Sequence, residues 1–505
     1  MTLSNSNPAT WLPDLIYTNG RFASKLALVC DDTIAHLAGR DEVENAIRLK
    51  GRALLPGLIN AHSHAFQRVI RGRTEYRTAN NKDSFWTWRE MMYSAALRLT
   101  PEDVYDASRM AFLEMALSGI TAVGEFHYLH HAPDGSSYDD PNLIAKEVVG
   151  AANDIGLRIA LLRVAYARSG YEKEVSPQQV RFIEKDPEVY LKNVEQLIAD
   201  LDEDSSPGIR KSSSDSGGAL ANDRPSARSW VGTAPHSVRG VPLNYLKEIV
   251  NYADKRRLPV HMHVAEQPAE VSACIEEYGR SPIALLATEG LLGERFTAVH
   301  AIHVTPKAVR MLAEARAMVC ACPTTERNLG DGIVPINDFF KHGVRVTLGT
   351  DSQVEIDLLE DARELEYHLR LQKMERAVLA PDGSPTVRKA LSASESGAVV
   401  PNSQACALAA RLFACATVSG AESIGAAGGT LEPGRAADFF TVDLDDPSIA
   451  GASPDNLLSS IVFSLSKTAV RDVVVGGKRI VEDGRHAQQE GIVERFKALQ
   501  KKLWG

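Results

Sequence analysis

The chain has 505 residues, a formal net charge of −9, 44% apolar residues and 24% charged residues. These values are ordinary for a folded protein, and they exclude a mostly disordered or collagen-like chain. The acidic balance also argues against a broad phosphate-binding surface, so we expect no nucleic acid among the partners.

The first 52 residues read as short strands separated by turns such as Asn19-Gly20. Residues 426–490 have the same texture, with β-branched runs at 437–443 and 470–475 and a hairpin turn at Gly476-Gly477. Together these two ends predict a small β domain built from both termini. A C-terminal helix is predicted over residues 491–505.

Between the two ends, over residues 53–425, apolar runs of strand length alternate with longer helical segments. The eight predicted strands lie at 53–61, 121–128, 158–166, 230–235, 258–265, 296–304, 317–322 and 344–350. Eight strands, each followed by a helix, predict a TIM-like (β/α)8 barrel. The alternative is a doubly wound open sheet, which usually has a glycine-rich loop after its first strand, where this chain has His-Ser-His.

Two segments interrupt this alternation. Residues 202–229 are rich in Ser, Gly, Asp and Pro and almost free of apolar residues, which predicts a disordered insertion before the fourth barrel strand. Residues 380–404 have a similar but more mixed composition and are predicted as a second insertion after the eighth strand.

The cysteine content and the ends of the chain bear on localisation. Six cysteines in 505 residues are too few for a disulfide framework, which favours reduced thiols. The N-terminal residues lack the basic and apolar regions of a signal peptide. No stretch approaches the ~18 uninterrupted apolar residues of a membrane helix. We therefore expect a cytoplasmic protein with no membrane partner.

Polar residues cluster where the barrel strands are predicted to end. In a strand, residues at i and i+2 point to the same side, so His62 and His64 can reach one ion. Because the carboxyl ends of barrel strands meet at one active site, the polar residues that end later strands join them there. These later residues are His261, His263 and Glu266 on the fifth strand, His300 and His303 on the sixth, and Asp351 on the eighth.

Most single histidines on apolar strands are buried structural groups, and that interpretation fits His36, His303, His342 and His368. It does not explain H-x-H, a later H-x-x-E, a later His and a final Asp, all at strand ends. This combination predicts a metal site. Two features stay open: His127, His130 and His131 could line the pocket or occupy a polar loop, and Cys320 with Cys322 reads as a buried apolar pair.

These motifs resemble the amidohydrolase superfamily over essentially the whole chain, including GTLEPGRAADFFTVD at 429–443. A closer resemblance is to the formimidoylglutamate deiminase (N-formimino-L-glutamate iminohydrolase) family. The strings that carry it are NAHSHAFQR at 60–68, DSFWTWREMMY at 83–93, EFHYLHH at 125–131, HVAEQ at 263–267 and NLGDGI at 328–333. The resemblance implies a distorted (β/α)8 barrel with a small β-sandwich domain formed by both termini.

The resemblance also implies a role for each matching residue. One divalent metal, usually zinc, is held by His62, His64, His263 and Asp351. The catalytic groups are Glu266 as proton shuttle, His300 and Asp351. The substrate-contacting positions are Gln67, Arg89, Tyr128, His236 and Arg239. Two arginines suit a dicarboxylate, because guanidinium pairs with carboxylate in a bidentate fork.

The implied reaction is hydrolytic deimination of N-formimino-L-glutamate to N-formyl-L-glutamate and ammonia, a step of histidine degradation. We expect a small dicarboxylate amidine as substrate and a homodimer. One alternative is a deaminase acting on a purine or pyrimidine ring, which uses the same metal-ligand pattern but offers no carboxylates to Arg89 and Arg239. A metal-binding protein without catalysis is a weaker alternative, because no acid–base residue is missing.

Overall fold

A computed structural model describes residues 8–77, 84–204, 225–382 and 406–505. Most of the two predicted insertions, at 202–229 and 380–404, lies outside these described residues. The described strands are, in chain order, β1 (Ala9–Thr18), β2 (Arg21–Ser24), β3 (Leu26–Cys30), β4 (Ile34–Gly39), β5 (Ile47–Pro56), β6 (Leu58–Ser63), β7 (Ile120–His127), β8 (Arg158–Ala165), β9 (Ser229–Pro235), β10 (Val260–Val264), β11 (Phe296–His300), β12 (Met318–Ala321), β13 (Arg345–Leu348), β14 (Phe439–Asp443), β15 (Val470–Val475), β16 (Lys478–Glu482) and β17 (Arg485–His486).

Helices follow most barrel strands, as the alternating sequence pattern predicts. Those described are α1 (Phe85–Ala96), α2 (Pro101–Leu117), α3 (Leu143–Ile155), α4 (Pro187–Asp204), α5 (Leu243–Arg256), α6 (Pro268–Tyr278), α7 (Pro282–Thr288), α8 (Pro306–Glu314), α9 (Pro323–Leu329), α10 (Ile336–Lys341), α11 (Leu358–Lys373), α12 (Ala407–Cys415), α13 (Val418–Ile424), α14 (Leu457–Ser464) and α15 (Gln489–Trp504).

The eight strands β6 to β13 form one parallel sheet in which each strand pairs with its neighbour in sequence. A parallel bridge between Ser63 and Asp351 brings the first strand beside the last, so the sheet nearly closes. All residues of β7 and β8 are buried, as expected for parallel strands covered on both faces. The predicted TIM-like barrel is therefore confirmed, and seven of its eight strands lie at the predicted places.

The terminal strands form a separate nine-stranded sheet in the order β17-β16-β15-β14-β5-β1-β3-β4, with β2 paired to β1. The predicted β structure from both termini is therefore confirmed. Its pairs are antiparallel except for β1 with β5. A small core on this sheet includes Trp11, whose ring meets that of Phe439 edge-on at 5.3 Å.

The first predicted barrel strand, 53–61, is divided between the two sheets. Residues up to Pro56 belong to β5 and pair with β14, whereas Leu58 begins β6. Gly57 lies at the break, and a Cβ atom there would come within 2.2 Å of the Thr121 side chain. The close approach of β7 therefore requires glycine where the chain passes from one sheet to the other.

One stretch of the described chain, Ala407–Ile424, is by length and composition apolar enough to cross a membrane. It comprises α12 and α13, and 56% of it is buried inside the protein. The two helices pack against α14 and β6, so the stretch forms part of the hydrophobic core.

Candidate active site

Four predicted metal ligands meet at the carboxyl ends of the barrel strands. One ligand atom from each of His62, His64, His263 and Asp351 lies within 4.8 Å of all the others. Asp351 Oδ1 is 3.5 Å from His62 Nε2 and 3.2 Å from His64 Nε2. The Nε2 atoms of His62 and His263 are 3.2 Å apart. A tetrahedral zinc ion at about 2.1 Å from each ligand would place its donor atoms about 3.4 Å apart, so the spacing fits.

The protonation states of these side chains also fit a cation. Burial lowers the pKa of His62 to about 3 and lowers that of His263 well below its usual value, so both rings are neutral and carry a free lone pair. Burial opposes ionisation of Asp351, but its contacts with the neighbouring imidazoles of His62 and His64 hold its pKa well below the usual range. Neutral imidazoles and one carboxylate are a donor set suited to zinc.

Hydrogen bonds to backbone carbonyls orient two of the imidazoles. His64 Nδ1 lies 2.9 Å from the carbonyl oxygen of Phe126, and His263 Nδ1 lies 3.1 Å from that of His236. A carbonyl oxygen can only accept, so each Nδ1 carries the proton and donates it. The Nε2 lone pair of each ring is thereby left for the metal, as is usual for histidine ligands.

A buried polar network joins the first barrel strand to the last. Asn60 and Thr350 exchange two hydrogen bonds, from Asn60 Nδ2 to Thr350 Oγ1 at 2.7 Å and from Thr350 N to Asn60 Oδ1 at 3.1 Å. Gln353 Nε2 donates to Ser63 Oγ at 2.8 Å, and Ser63 Oγ donates to Glu125 at 2.5 Å. The network therefore fixes the relative position of the metal ligands on the two strands.

The turns that carry the site are conformationally strained. Ala265, His300 and Asp351 follow or end three barrel strands with φ of 55°, 70° and 47°, in a region that non-glycine residues rarely adopt. Glu270 on α6 stabilises the first of these turns, because its carboxyl group accepts the backbone N–H groups of Ala265 and Glu266, each at 3.1 Å. The predicted proton shuttle Glu266 is held in place by this contact.

The predicted acid–base groups adjoin the metal ligands. His300 Nε2 lies 3.9 Å from Glu266 Oε1 and 3.8 Å from Asp351 Oδ2. Burial raises the pKa of Glu266 to about 7, with Asp351 adding to the shift and His300 opposing it. Burial alone would lower the pKa of His300, but Glu266, Glu326 and Asp351 together raise it well above the usual value. The arrangement can hold and move protons near neutral pH.

A cavity lies over the predicted metal ligands, and every predicted substrate-contacting residue lines it. Gln67 Nε2 donates to the Tyr128 hydroxyl at 2.8 Å, and the Gln67 Oε1 atom is buried with no partner among the described residues. Burial, followed by the effect of Arg239, holds the pKa of His236 well below its usual value, so this ring is neutral. The structure thus brings Gln67, Arg89, Tyr128, His236 and Arg239 to one cavity.

The two arginines lie at the end of this cavity that is built around α1. The guanidinium carbon of Arg89 is 4.5 Å from the centre of the Trp86 ring, and that of Arg239 is 5.7 Å from it. The Nε atoms of both are buried without a hydrogen-bond partner, and neither side chain forms an ion pair within the described ranges. Glu270 and Glu266 interact with the Arg239 charge only at longer range, so the cavity can still accept an anion beside the two cations.

Some residues in and around the cavity were not predicted from the sequence. Tyr93, Tyr166 and Phe182 line the wall near the arginines, and Glu326 Oε1 lies 3.3 Å from His300 Nδ1. Glu326 lies on α9, the short helix that follows the seventh strand, so its nearness to a strand end was a usable signal. The three aromatic residues carried no such signal in the sequence, because their neighbours are apolar residues typical of a core.

The structure also decides the features left open. His127 and His130 are buried and His131 is half-buried, but none of the three lines the cavity; His130 Nε2 and His131 Nε2 donate to backbone carbonyls. Cys320 and Cys322 are fully buried free thiols. The Cys322 sulfur does lie close to His300 and Glu326, in a second group of potential metal ligands.

Comparison with known proteins agrees with this geometry. The amidohydrolase family model matches residues 53–480. The chain is 35% identical over 486 residues to formimidoylglutamate deiminase of Pseudomonas aeruginosa, covering 96% of each chain. It is 28% identical over 458 residues to 5-methylthioadenosine/S-adenosylhomocysteine deaminase of Caldanaerobacter subterraneus, covering 89% of this chain and 87% of the relative.

Solved structures show the same fold. An amidohydrolase from Brucella melitensis superposes with a TM-score of 0.83 at 29% identity, covering 98% of this chain and all of that one. An adenosine deaminase from Xanthomonas campestris with bound zinc has a TM-score of 0.73 at 19% identity, covering 98% of both chains. The family match, the relatives and the histidine–aspartate group at the barrel strand ends together show that this chain belongs to the amidohydrolase family.

Proposed function

We propose that this amidohydrolase is a cytoplasmic enzyme of histidine degradation that hydrolyses N-formimino-L-glutamate to N-formyl-L-glutamate and ammonia. The observation that carries the proposal is the pair of guanidinium groups, Arg89 and Arg239, which share a cavity with the metal ligands and have no carboxylate partner in the described chain. The similarity to formimidoylglutamate deiminase supports it.

The three imidazoles and the Asp351 carboxylate would hold one divalent ion, which we propose is zinc. When bound, such an ion lowers the pKa of a water molecule and polarises the carbon under attack. The chain supplies the remaining functions. Neutral His62 and His263 and ionised Asp351 are already in the states that binding requires, so little protonation energy opposes it.

Three side chains around the reacting carbon would control the protons of the reaction. Asp351 would accept the proton of the attacking water as its oxygen bonds to the formimino carbon, and His300, whose raised pKa keeps its ring protonated, would donate a hydrogen bond to that oxygen. Glu266 would then donate a proton to the leaving nitrogen as the carbon–nitrogen bond breaks and ammonia departs. A carboxyl group whose pKa lies at about 7 can both accept and donate a proton at neutral pH.

The opposite end of the cavity would orient the substrate. Arg89 and Arg239 would bind its two carboxylates, which lie several bonds from the formimino group. Neutral His236, together with Gln67 and Tyr128, would supply hydrogen bonds between the two ends. Aromatic side chains, including Phe182, enclose the space, which strengthens charge interactions by excluding water.

A ring deaminase is the second candidate. It is favoured by the 28% identity to 5-methylthioadenosine/S-adenosylhomocysteine deaminase and by a metal-ligand set that would serve either reaction. A nucleobase, however, carries no pair of carboxylates and would leave both guanidinium groups without an ion pair.

An ammonia-release assay separates the two candidates. Zinc-loaded protein would be offered N-formimino-L-glutamate, N-formimino-glycine, adenosine, 5-methylthioadenosine, cytosine and guanine. We expect turnover of N-formimino-L-glutamate, a much lower kcat/KM with the glycine analogue, which has one carboxylate, and none with the rings. Release of ammonia from a ring compound but not from N-formimino-L-glutamate would replace the proposal with the second candidate.

A further inference from the structure

A hydrogen-bonded triad lies beside the two arginines. It consists of Tyr93 on α1, Tyr166 just after β8, and Gln179 in the segment between β8 and α4. Gln179 Nε2 donates to the Tyr93 hydroxyl oxygen at 2.9 Å and also to the Tyr166 hydroxyl oxygen. All three side chains are at most 4% exposed. Both tyrosines line the cavity, whereas Gln179 lies behind them.

Counting hydrogens shows what this triad offers. The two amide hydrogens of Gln179 are used on the two hydroxyl oxygens, so neither tyrosine can donate to that nitrogen. Burial raises the pKa of Tyr93, which therefore stays protonated, and its hydroxyl group lies beside that of Tyr166. The O–H of Tyr166 is then left over, with no acceptor for it among the described residues. A buried hydroxyl hydrogen without an acceptor is rare in proteins, which points to a ligand.

The position of the triad indicates the kind of acceptor. The guanidinium carbon of Arg89 is 5.3 Å from the centre of the Tyr93 ring. The ring of Tyr166 packs 4.3 Å from that of His236. The Arg239 guanidinium group is close enough to interact electrostatically with the hydroxyl groups of both tyrosines. A group that accepts from Tyr166 while lying near two cations is an anion, and a carboxylate meets both conditions.

We propose that Tyr166 donates a hydrogen bond to a carboxylate of the substrate, and that Gln179 and Tyr93 are positioning residues that aim its hydroxyl at that group. The identity of the substrate rests on the proposed function, but the inference itself concerns dicarboxylate binding. Tyr166 is thus a specificity-determining residue. It selects a substrate with a carboxylate at this position over a ring substrate, which would place an uncharged group there.

Binding of glutarate tests the inference without catalysis, because glutarate has two carboxylates and no formimino group. Isothermal titration calorimetry on zinc-loaded protein should show binding to the wild type. Tyr166→Phe should weaken it by about 10- to 150-fold, the loss expected for one hydrogen bond to a charged group. Gln179→Leu should weaken it by a smaller factor, because the hydroxyl remains but is no longer held.

Tyr105→Phe is the matched control, since Tyr105 on α2 donates to Asp154 at the surface, away from the cavity. It should bind glutarate as the wild type does. In turnover of N-formimino-L-glutamate, Tyr166→Phe should raise KM with little change in kcat, whereas damage to the fold would lower kcat and the melting temperature.

The two proposals can fail separately. Wild-type affinity for glutarate in Tyr166→Phe, or no glutarate binding by the wild type, overturns the inference and leaves the reaction to the ammonia assay. Tyr166-dependent glutarate binding without turnover of N-formimino-L-glutamate supports the inference and overturns the proposed reaction.

Discussion

Arg239→Ala is the change for which the structure gives the sharpest expectation. The side chain lines the cavity, its Nε is buried without a partner, and within the described residues no carboxylate forms an ion pair with it. Its removal therefore breaks no ion pair of the described chain, but it loses the longer-range attraction to Glu270 and Glu266 that helps to raise the pKa of Arg239. We expect the melting temperature to change little, because the cost of holding a buried cation is relieved at the same time.

Catalysis should change much more than stability. A hydrogen bond to a charged group contributes roughly 1.5–3 kcal/mol, and about 1.36 kcal/mol corresponds to a factor of ten in rate. Arg239→Ala should therefore lower kcat/KM for N-formimino-L-glutamate by roughly 10- to 150-fold, and Arg89→Ala should do the same. Arg239→Lys should recover only part of the loss, because lysine lacks the bidentate fork.

Initial rates of ammonia release on two substrates check this reasoning. The second substrate is an uncharged N-alkyl formamidine, whose turnover should hardly change in either alanine variant. Arg73→Ala is the control, because Arg73 also lies over an aromatic ring, that of Trp504 at 4.8 Å, but outside the cavity. An equal loss on both substrates would refute carboxylate binding and assign Arg239 a structural role.

Three further predictions follow from the site and from the buried charges around it. Elemental analysis should find one zinc per chain, and His64→Ala should lose the metal along with activity; two tightly held equivalents would contradict a single site. Glu266→Gln should keep that metal, since Glu266 is not among the four predicted ligands. It should lower kcat by roughly 100- to 10,000-fold, the usual contribution of a general acid–base group. A Glu266→Gln variant without metal would show that Glu266 has a role in metal binding instead. Burial would raise the pKa of Glu184, but Arg163, His130 and Asn193 lower it from 4.5 to about 2. The ionised Glu184 carboxylate therefore stabilises the fold fully above pH 4.5, and this stabilisation is lost as the pH falls toward 2. Glu184→Gln should therefore lower the free energy of unfolding at pH 7 by about 3 kcal/mol. Urea denaturation should show that this difference from the wild type becomes smaller at pH 3. A difference that does not depend on pH would contradict the assigned pKa.

The metal ligands could be predicted from the sequence because their signals are local. His62 and His64 share a side of their strand by the two-residue period, and His263 and Asp351 end strands that the apolar pattern marks clearly. The rule that barrel strand ends converge brings these four together with other strand-end residues, and the family resemblance selected the four, whose candidate ligand atoms do lie within 4.8 Å of one another. The substrate-contacting residues were predicted only through the family resemblance, since an isolated arginine in a sequence carries no such information.

The sequence pattern was misleading at Gly57. The residues on both sides are apolar, so the run reads as one strand, although it serves two sheets. Only the packing of Thr121 against Gly57 shows why the strand breaks there.

By itself the sequence predicted the eight-stranded barrel, the sheet from both termini and a group of polar residues at the strand ends, because periodicity and strand ends are properties of neighbouring residues. The tertiary structure alone decided which buried groups lack partners. Tyr93 and Tyr166 lie in apolar stretches that look like core, and Gln179 lies in a loop. These residues become a triad beside Arg89 because α1 and the segments after β8 fold over the same end of the barrel. Hydrogen-bond partners are set by distance in space, and nothing in the local pattern around Tyr166 records that its hydroxyl faces a cavity with two unpaired cations.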